Sequence, residues 1–352
     1  MKKTYIIAEM AWSYTGSFET AIRILRSVKE AGADAIGIHL TNMETYMTRD
    51  YRCLAGQTLS ARGDDQGDAE DVYGYLDKIN MKNEEWIRFG EEASRLDIDV
   101  VAMCNDFESF LFSKQMPVKK YVIAASLFYE FDFIREIIRY NNNVIIRIGG
   151  ANLKEIDGIV SFILGVDPAS QINLLAGIQL YPTPIDQLQI GSIPAIQERY
   201  LGKNVTVGLA DHIDGDHPYA IYLPALALSF GIDTIEKHIT TDRKEKLEDY
   251  EAALGGHAFR EFVTFIRTAE TALGDGSLDY LVNPQNEKYR LVLRKRIVAA
   301  RPIPAGTVIS REHVAFKRND FGLELEYLEE VIGRKAIRHI EVDEGIRKED
   351  VA

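Results

Sequence analysis

The sequence has few of the features that mark secreted, membrane-bound or nucleic-acid-binding proteins. Only two of its 352 residues are cysteines, Cys53 and Cys104, which excludes a disulfide framework and favours a reducing compartment. No stretch approaches the roughly 18 uninterrupted apolar residues of a membrane span. The 41 basic residues are outnumbered by 54 acidic ones, giving a net charge of −13. An acidic chain without a basic run is poorly suited to nucleic acid or an anionic membrane, so small molecules are the expected partners.

The first residues do not have the pattern of a signal peptide, which needs 7–15 apolar residues before a small-residue cleavage site. Here Glu9 interrupts the apolar run Tyr5–Ala8 after four residues. We therefore interpret this segment as a first strand and expect a cytoplasmic protein. The hydrophobic fraction of 46% and the charged fraction of 27% are ordinary for a folded chain and exclude disorder or collagen. The length predicts two domains.

Short β-branched apolar runs alternate with segments of helical period up to about residue 275. In ETAIRILRSVKEAG, for example, apolar residues recur at three and four positions before a stop at Gly32. Eight strands are predicted: Tyr5–Met10, Ala35–Leu40, Asp99–Asn105, Tyr121–Ser126, Val144–Gly149, Leu174–Leu180, Val205–His212 and Thr234–Ile239. Near-continuous apolar strands with helices between them predict an α/β fold, a TIM (β/α)8 barrel. A doubly wound open sheet is the alternative.

Two segments depart from this pattern. Residues 41–80 form a connection much longer than the usual two to six residues, which indicates either a functional loop over the barrel mouth or a surface insertion or dimer contact. From residue 288 the segments are brief, β-rich and separated by Pro-Ala-Gly and Asp-Glu-Gly turns. We predict a barrel domain over 1–275, a linker over 276–287 and a small β-rich domain over 288–352.

Reactive groups of a barrel enzyme lie at the carboxyl ends of its strands. Polar residues at the predicted ends are Glu9, His39, Arg147, Asp211, His212, Glu236, Lys237 and His238. Because strands seven and eight are neighbours, His212 and His238 can face one ion. Two histidines with carboxylates and waters suit a divalent ion such as Mn²⁺ better than structural zinc, and Mg²⁺ or Co²⁺ are alternatives. The competing interpretation is a pair of capping or hydrogen-bonded core histidines.

Several motifs occur together in order along the chain: IAEMAWSYTGSFETAIRILRSVKEAGADAIGIHL, LYPTP, VGLADHIDG and IEKHITTDR. They resemble the sialic acid (N-acetylneuraminate) synthase family. The tail RIVAARPIPAGTVISREHVAFKRNDFGLELEYLEEVIGRKA resembles the C-terminal antifreeze-like SAF domain of that family. The resemblance implies condensation of phosphoenolpyruvate with the aldehyde of an N-acyl hexosamine, giving a nonulosonic acid and phosphate for surface polysaccharide.

The resemblance also implies roles for individual residues. His212 and His238 would hold the ion that polarises the aldehyde. The implied catalytic candidates are Glu9, Glu236, Lys237 and Asp249. The substrate-binding candidates are Tyr181, Asp211 and Arg318, together with His39, Ser126 and Arg147, which are inferred from their own chemistry and not from the resemblance. Arg318 would reach from the SAF domain of one subunit into the barrel of its partner, which implies a domain-swapped homodimer.

The departures from the family fall mostly on the donor side. Gly37 and Val122 stand where the family has lysines, so two expected anchors for phosphate or carboxylate are missing. Arg147 is one visible compensation, because an arginine fork binds such groups well. The alternative is that Arg147 pairs with a neighbouring carboxylate.

Three functional interpretations follow. The first is a divergent synthase that still uses phosphoenolpyruvate. The second keeps the barrel and the metal but forms a carbon–carbon bond with a different donor, as the missing lysines suggest. The third is a catalytically silent sugar-binding paralogue.

Overall fold

The computed structural model describes residues 3–51 and 72–352. It divides the chain into two compact units, Met1–Gly274 and Asp275–Ala352. The strands are β1 Tyr5–Glu9, β2 Ala35–Leu40, β3 Asp99–Cys104, β4 Val118–Ile123, β5 Asn143–Arg147, β6 Gln171–Ala176, β7 Val205–Asp211, β8 Thr234–Thr240, β9 Leu254–Gly255, β10 Lys295–Ala299 and β11 Val314–Arg318. The helices are α1 Phe18–Ala31, α2 Met43–Tyr46, α3 Val72–Lys78, α4 Asn83–Arg95, α5 Phe107–Ser113, α6 Phe131–Tyr140, α7 Leu153–Val166, α8 Ile193–Arg199, α9 Gly256–Leu273 and α10 Pro284–Leu293.

The first eight strands are parallel and form a closed barrel. Each pairs with the next along the chain, and β1 pairs with β8 as well as with β2. This closure confirms the predicted TIM barrel and excludes the open doubly wound sheet. Two predicted carboxyl ends differ by three residues or more: β4 ends at Ile123 because residues 125–127 form a 3-10 turn, and β6 ends at Ala176 because Gly177 adopts a φ of 154°. The other six agree within two residues.

Alternation along the strands gives the barrel two apolar layers. Ile7, Val101 and Ile145 point inward and belong to a core cluster inside the barrel. Their neighbours Ile6 and Ile146 point outward and pack with the helices in a second, larger cluster. The position of a residue along its strand therefore decides whether its side chain lies inside the barrel or behind its wall.

Local signals explain the first helix. The side chain of Ser17 accepts a hydrogen bond from the Thr20 backbone N–H at the start of α1, and Gly32 ends the helix with a φ of 79°. The apolar stripe predicted from periodicity is buried, including Leu25 and Val28. The predicted stop at Gly32 is confirmed.

Of the long predicted connection over 41–80, the described parts contain the short helices α2 and α3, while residues 52–71 lie outside the described residues. The predicted linker over 276–287 includes a 3-10 segment, Leu278–Val282, and the first residues of α10. Pro284 at the start of α10 and the capping side chain of Asn283 explain why this helix begins there.

The second unit is built around antiparallel β10 and β11. Its own small core includes Ile297, Ile303, Val314 and Ile346, each 4% exposed or less. In the described parts of the two units, no helix is long and apolar enough to cross a membrane.

Candidate active site at the barrel mouth

The interior face changes from apolar to polar at the carboxyl ends of the strands. Glu9 lies two residues beyond Ile7 on β1, and Arg147 lies two residues beyond Ile145 on β5. Because the period of a strand is two, both side chains continue the inward-facing rows. Polar groups from β1, β2, β5 and β8 thus meet at one end of the barrel, where barrel enzymes place their active sites.

Arg147 is the centre of this polar cluster. Its Nη2 donates to Glu236 Oε2 at 2.9 Å and also to the carboxylate of Glu9. Its Nη1 lies 3.3 Å from His39 Nε2 and 3.5 Å from the sulfur of Met103. The structure therefore brings together four of the predicted residues, and it favours the alternative in which Arg147 pairs with neighbouring carboxylates.

The cluster is almost completely withdrawn from solvent. The side chains of Glu9 and Glu236 are 1% exposed and that of Arg147 is 7% exposed. Burial raises the pKa of Glu236 to about 7, although attraction to Arg147 opposes the shift. For Arg147, burial disfavours the charged form, but Glu236 and Glu9 outweigh it and raise the guanidinium pKa. The cluster thus holds a fixed cation beside a carboxyl group able to exchange a proton near neutral pH.

Gly37 is the neighbour of Glu9 in the β1–β2 register. A Cβ atom at Gly37 would lie 2.4 Å from Glu9 Oε2, too close for any side chain unless the carboxylate moves. Glu9 Oε1 also accepts a hydrogen bond from the Ala11 backbone N–H at 2.7 Å. The absence of a side chain at residue 37 is therefore a condition for the contact between Glu9 and Arg147.

His212 and His238 lie side by side, with ring centroids 5.3 Å apart. The Nδ1 of His212 lies 2.8 Å from the Ile178 carbonyl oxygen, so it carries the proton and leaves the Nε2 lone pair free. Burial lowers the pKa of His212 to about 3, and burial together with nearby His212 and Arg147 lowers that of His238 well below its usual value. Both rings are therefore neutral at neutral pH, the form that binds metal ions.

The donor set suits an ion that keeps open positions. Within the described residues, no group of three or more histidine, cysteine, aspartate or glutamate side chains is arranged around one point. Among those same residues, His238 Nδ1 and Glu236 Oε1 are buried and lack a hydrogen-bond partner. Two imidazoles with the remaining positions left to water or substrate fit a catalytic divalent ion rather than structural zinc.

Tyr181 and Asp249 complete the mouth. The ring of Tyr181 lies 4.4 Å from that of His212 and 5.4 Å from that of His238, measured between centroids. Asp249 lies in the loop after β8, close enough to Glu9 and Tyr181 to interact with both electrostatically. Burial and the surrounding Glu248, Glu9 and Glu251 raise the Asp249 pKa to about 7.

Lys237 and Asp211 are placed differently from the other predicted residues. They are register partners on β8 and β7, on the outward rows that include Ile235 and Leu209. Lys237 Nζ donates to Asp211 Oδ2 at 2.6 Å and to the Ile213 carbonyl at 3.1 Å, and neither side chain is exposed. This is a buried ion pair behind the barrel wall. Their catalytic and substrate-binding roles stay predictions that this placement does not favour.

Ser126 and Arg318 are the remaining predicted site residues. Ser126 is exposed in the 3-10 turn after β4. Arg318 is an exposed residue at the end of β11 in the second unit. Their predicted roles, and the subunit exchange that Arg318 was expected to serve, stay predictions.

Sequence reasoning missed two contributors to the site. Met103 ends an inward-facing row on β3 and contacts Arg147. The signal for it was available, because the same alternation that points Arg147 inward also applies to β3. The Ile178 carbonyl, which orients His212, gave no signal because a backbone oxygen has no sequence signature.

Comparisons with known proteins agree with this architecture. Over 349 residues the chain is 29% identical to the pseudaminic acid synthase of Campylobacter jejuni strain 81-176, covering 99% of this chain and 97% of that protein. It is 25% identical to the N,N'-diacetyllegionaminic acid synthase of Campylobacter jejuni, covering 99% and 100%. The N-acetylneuraminate-9-phosphate synthase of Mus musculus is 22% identical, with 99% and 92% covered.

Solved structures share the fold at lower identity. A putative spore coat polysaccharide biosynthesis protein E from Chromobacterium violaceum superposes with a TM-score of 0.77 at 22% identity, covering 99% of this chain and 100% of that one. The N-acetylneuraminic acid synthetase of Leptospira borgpetersenii superposes with a TM-score of 0.67 at 23% identity, covering 83% and 93%. Residues 24–278 match the NeuB family and residues 294–352 match the SAF domain. Since the first match spans more than half of a chain whose barrel mouth gathers these charged and imidazole groups, the protein belongs to the NeuB family and carries a C-terminal SAF domain.

Proposed function

We propose that this chain is a nonulosonic acid synthase that condenses phosphoenolpyruvate with the aldehyde of an N-acyl hexosamine and releases phosphate. The observation that carries the proposal is the juxtaposition, at one barrel mouth, of a neutral histidine pair with the Glu9–Arg147–Glu236 cluster. The relatives named as pseudaminic, legionaminic and N-acetylneuraminate-9-phosphate synthases support the same reaction class.

The histidine pair serves the acceptor in this proposal. His212 and His238 would hold a divalent ion, Mn²⁺ first among the candidates, through their unprotonated ring nitrogens. When bound, such an ion supplies Lewis-acid polarisation of the aldehyde oxygen. Tyr181 packs against both rings and limits their rotation. Binding of the aldehyde oxygen at this histidine pair would keep the aldehyde carbon within reach of the attacking carbon of the donor.

The carboxyl group of Glu236 would transfer protons to and from water and substrate in this proposal. Carbon three of the enol donor forms the new bond to the aldehyde carbon, and water then adds at carbon two before phosphate leaves. Glu236, whose pKa lies at about 7, is suited to take a proton from that water or give one to the nascent hydroxyl. Arg147 neutralises the charge of Glu9 and Glu236 and would bind the donor carboxylate or phosphate by shifting part of its fork from them.

A second candidate function is favoured by the charge of the cluster. On the eight described strands, Arg147 is the one lysine or arginine on the interior face at the mouth end, and its fork already serves two carboxylates. A donor with two negative charges would compete with Glu9 and Glu236 for that cation. A carbon–carbon bond reaction using a donor without phosphate would face less of this competition, because such a donor carries less negative charge.

One experiment separates the candidates. Purified protein is incubated with Mn²⁺, phosphoenolpyruvate and a panel of N-acyl hexosamines, phosphate release is measured, and the 2-keto acid product is identified by mass spectrometry. Sugar-dependent release with a product mass equal to sugar plus pyruvate supports the synthase. No release from any sugar, with Mn²⁺ bound, refutes the phosphoenolpyruvate reaction. Pyruvate and other three-carbon donors then test the second function, and failure of all of them would leave a binding role.

The matched variants are Arg147→Lys and Arg199→Lys. The first keeps the charge but loses the planar guanidinium, whose Nη2 serves both carboxylates while Nη1 faces His39. The second makes the same change at an exposed ion pair on α8, where Arg199 Nε donates to Asp157 at 2.8 Å. We expect a rise in the KM for the donor only for Arg147→Lys, and equal effects from the two variants would remove Arg147 from donor binding.

A further inference from the structure

The loops after β7 and β8 are joined by one side chain, that of Arg243. This residue begins a short 3-10 segment, Arg243–Glu245, just beyond β8. Its side chain is 15% exposed although it carries a permanent charge. We propose that Arg243 is a positioning residue that clamps these two loops together and thereby holds Asp249 at the barrel mouth, an inference that rests on the synthase function proposed above.

On one side, Arg243 collects backbone carbonyls from the loop that carries Asp249. Its Nη1 donates to the carbonyl oxygens of Ala253 at 2.7 Å and Glu251 at 3.1 Å, and to that of Tyr250. Ala253 is completely buried, so its carbonyl has no access to bulk water as an alternative partner. The carbonyl of the residue immediately after Asp249 is thus held directly.

On the other side, Arg243 grips the loop that follows His212. Its Nε donates to Asp216 Oδ1 at 2.9 Å, and its Nη2 lies 2.8 Å from Asp216 Oδ2 and 3.2 Å from Asp214 Oδ1. A backbone hydrogen bond from the Gly215 N–H to the Glu251 carbonyl, 2.8 Å long, joins the same two loops. One guanidinium therefore connects both loops through five protein groups.

Gly215 shows how closely the two loops approach. A Cβ atom there would lie 2.1 Å from the Ala253 carbonyl oxygen and 2.2 Å from Arg243 Nη1. Both distances are far below van der Waals contact, so only glycine permits the crossing with the guanidinium in place. The glycine and the arginine form one interlocked arrangement.

Asp249 lies in the loop after β8 in a conformation that is unfavourable by itself. Asp249 has a φ of 59°, a left-handed conformation that costs a non-glycine residue free energy. Its carboxyl group is surrounded by Glu248, Glu251 and Glu9, which repel it when it is ionised. Strain and like charge both favour withdrawal of Asp249 from the mouth, whereas a hydrogen bond from the Trp12 backbone and the contacts made by Arg243 to the following residues oppose that withdrawal.

The geometry requires a guanidinium rather than an ammonium group. Five N–H donors in a planar fork can serve carbonyls on one side and carboxylates on the other, whereas a lysine presents three donors at a single point. Arg243→Lys therefore keeps the charge and removes the bridge. Arg199→Lys is the matched control, because Arg199 also makes a two-point ion pair in the barrel unit but lies on the outer helix α8.

The first measurement uses backbone amide hydrogen exchange and needs no substrate. In Arg243→Lys we expect exchange in peptides covering 213–217 and 247–256 to accelerate by about tenfold or more, with the rest of the barrel unchanged. The control Arg199→Lys should leave both peptides as in the parent protein. Unchanged exchange in Arg243→Lys would overturn the clamp, whatever the activity.

The second measurement asks whether the clamp acts through Asp249. Arg243→Lys should lower kcat by roughly ten- to a hundredfold, as expected for misplaced catalytic groups. In an Asp249→Asn background the same change should lower kcat by less than about twofold, because its target is already lost. An equal loss in both backgrounds would overturn the positioning role. A parent protein without synthase activity, combined with accelerated exchange in Arg243→Lys, would refute the proposed function and leave the clamp standing.

Discussion

Removing the guanidinium of Arg147 leaves two buried carboxylates facing each other. The substitution Arg147→Met keeps an unbranched apolar side chain but removes the cation that serves both Glu9 and Glu236. Each of these carboxylates is 1% exposed, so water cannot replace the lost partner. Breaking a buried ion pair by removing one partner costs about 3–5 kcal/mol. Since one guanidinium serves two carboxylates here, we expect a loss near the upper end, about 5 kcal/mol at pH 8.

The loss should depend on pH in a defined direction. The pKa of Glu236 is raised to about 7 in the folded protein, above the roughly 4.3 of an unfolded glutamate. A raised folded pKa favours the folded state below pH 4, and this stabilisation disappears as the pH rises through 7. Arg147 lowers this pKa, so its removal moves it further up. Because pH 8 is one unit above the parent value, the loss should be about 1.4 kcal/mol greater at pH 8 than at pH 5.5.

Urea unfolding followed by tryptophan fluorescence measures this loss in the barrel alone. The chain has two tryptophans, Trp12 and Trp86, and both lie in the barrel unit. A lower midpoint with an unchanged m value would report a change in stability rather than in the unfolded state. Measurements at pH 5.5 and 8 at constant ionic strength give the two free energies to be compared.

The control is Arg199→Met, which breaks the exposed pair between Arg199 and Asp157. This pair should contribute little to stability, because water solvates both groups. The pKa of Asp157 is lowered to about 2, chiefly by its hydrogen bond from Arg199, so this contribution is lost only as the pH falls through that value. It should be the same at pH 5.5 and 8. If Arg147→Met destabilises no more than this control, or equally at both pH values, the account of Arg147 as a neutralising bridge is wrong.

Three further predictions test other parts of the site. Gly37→Ala places a Cβ atom 2.4 Å from Glu9 Oε2 and should lower kcat at least about tenfold in a protein that keeps its far-ultraviolet circular dichroism; an unchanged kcat would show that Glu9 is not needed where it lies. Lys237→Met strands the buried Asp211 and should cost about 3–5 kcal/mol in the urea assay, while Lys237→Met combined with Asp211→Leu should recover most of it. Recovery of activity in that double variant would assign the pair to stability, and a stable but inactive protein would show that at least one member of the pair is needed for the reaction. His238→Gln should abolish stoichiometric Mn²⁺ binding in equilibrium dialysis, and full binding would remove this histidine from the metal site.

The barrel could be predicted because its signals are local and repeated. Near-continuous apolar strands recur eight times, seven of them followed by an α-helix and β7 by the 3-10 segment Leu223–Phe230, and each unit independently indicates the same architecture. Closure needed the structure, because the pairing of β1 with β8 joins segments more than 200 residues apart and no local pattern records it. Strand ends moved where a turn or a positive φ intervened, as at Gly177.

The sequence predicted which residues lie at the carboxyl ends of the strands, but not which of their side chains face the barrel interior and which face the surrounding helices. Glu236, Lys237 and His238 follow one another on β8, and the motif names all three as candidates. Alternation separates them: Glu236 bonds to Arg147 inside the barrel, while Lys237 bonds to Asp211 behind it. Applied to β8, this rule separates Lys237 from Glu236 and His238 without coordinates. The clamp by Arg243 was beyond such rules, because three of its five partners are backbone carbonyls and the two carboxylates lie on a loop from another strand.

Two departures from the family motifs, the glycine at 37 and the arginine at 147, are structurally linked although they lie on different strands. Glu9 joins them, since its carboxylate occupies the space above Gly37 and binds the guanidinium of Arg147. A side chain at 37 would displace Glu9, and without Arg147 the buried charge of Glu9 would have no cation among its described contacts. Substituting either residue alone should therefore damage the site more than sequence comparison suggests. The donor, whichever it is, must bind at a mouth where the available positive charge is already shared.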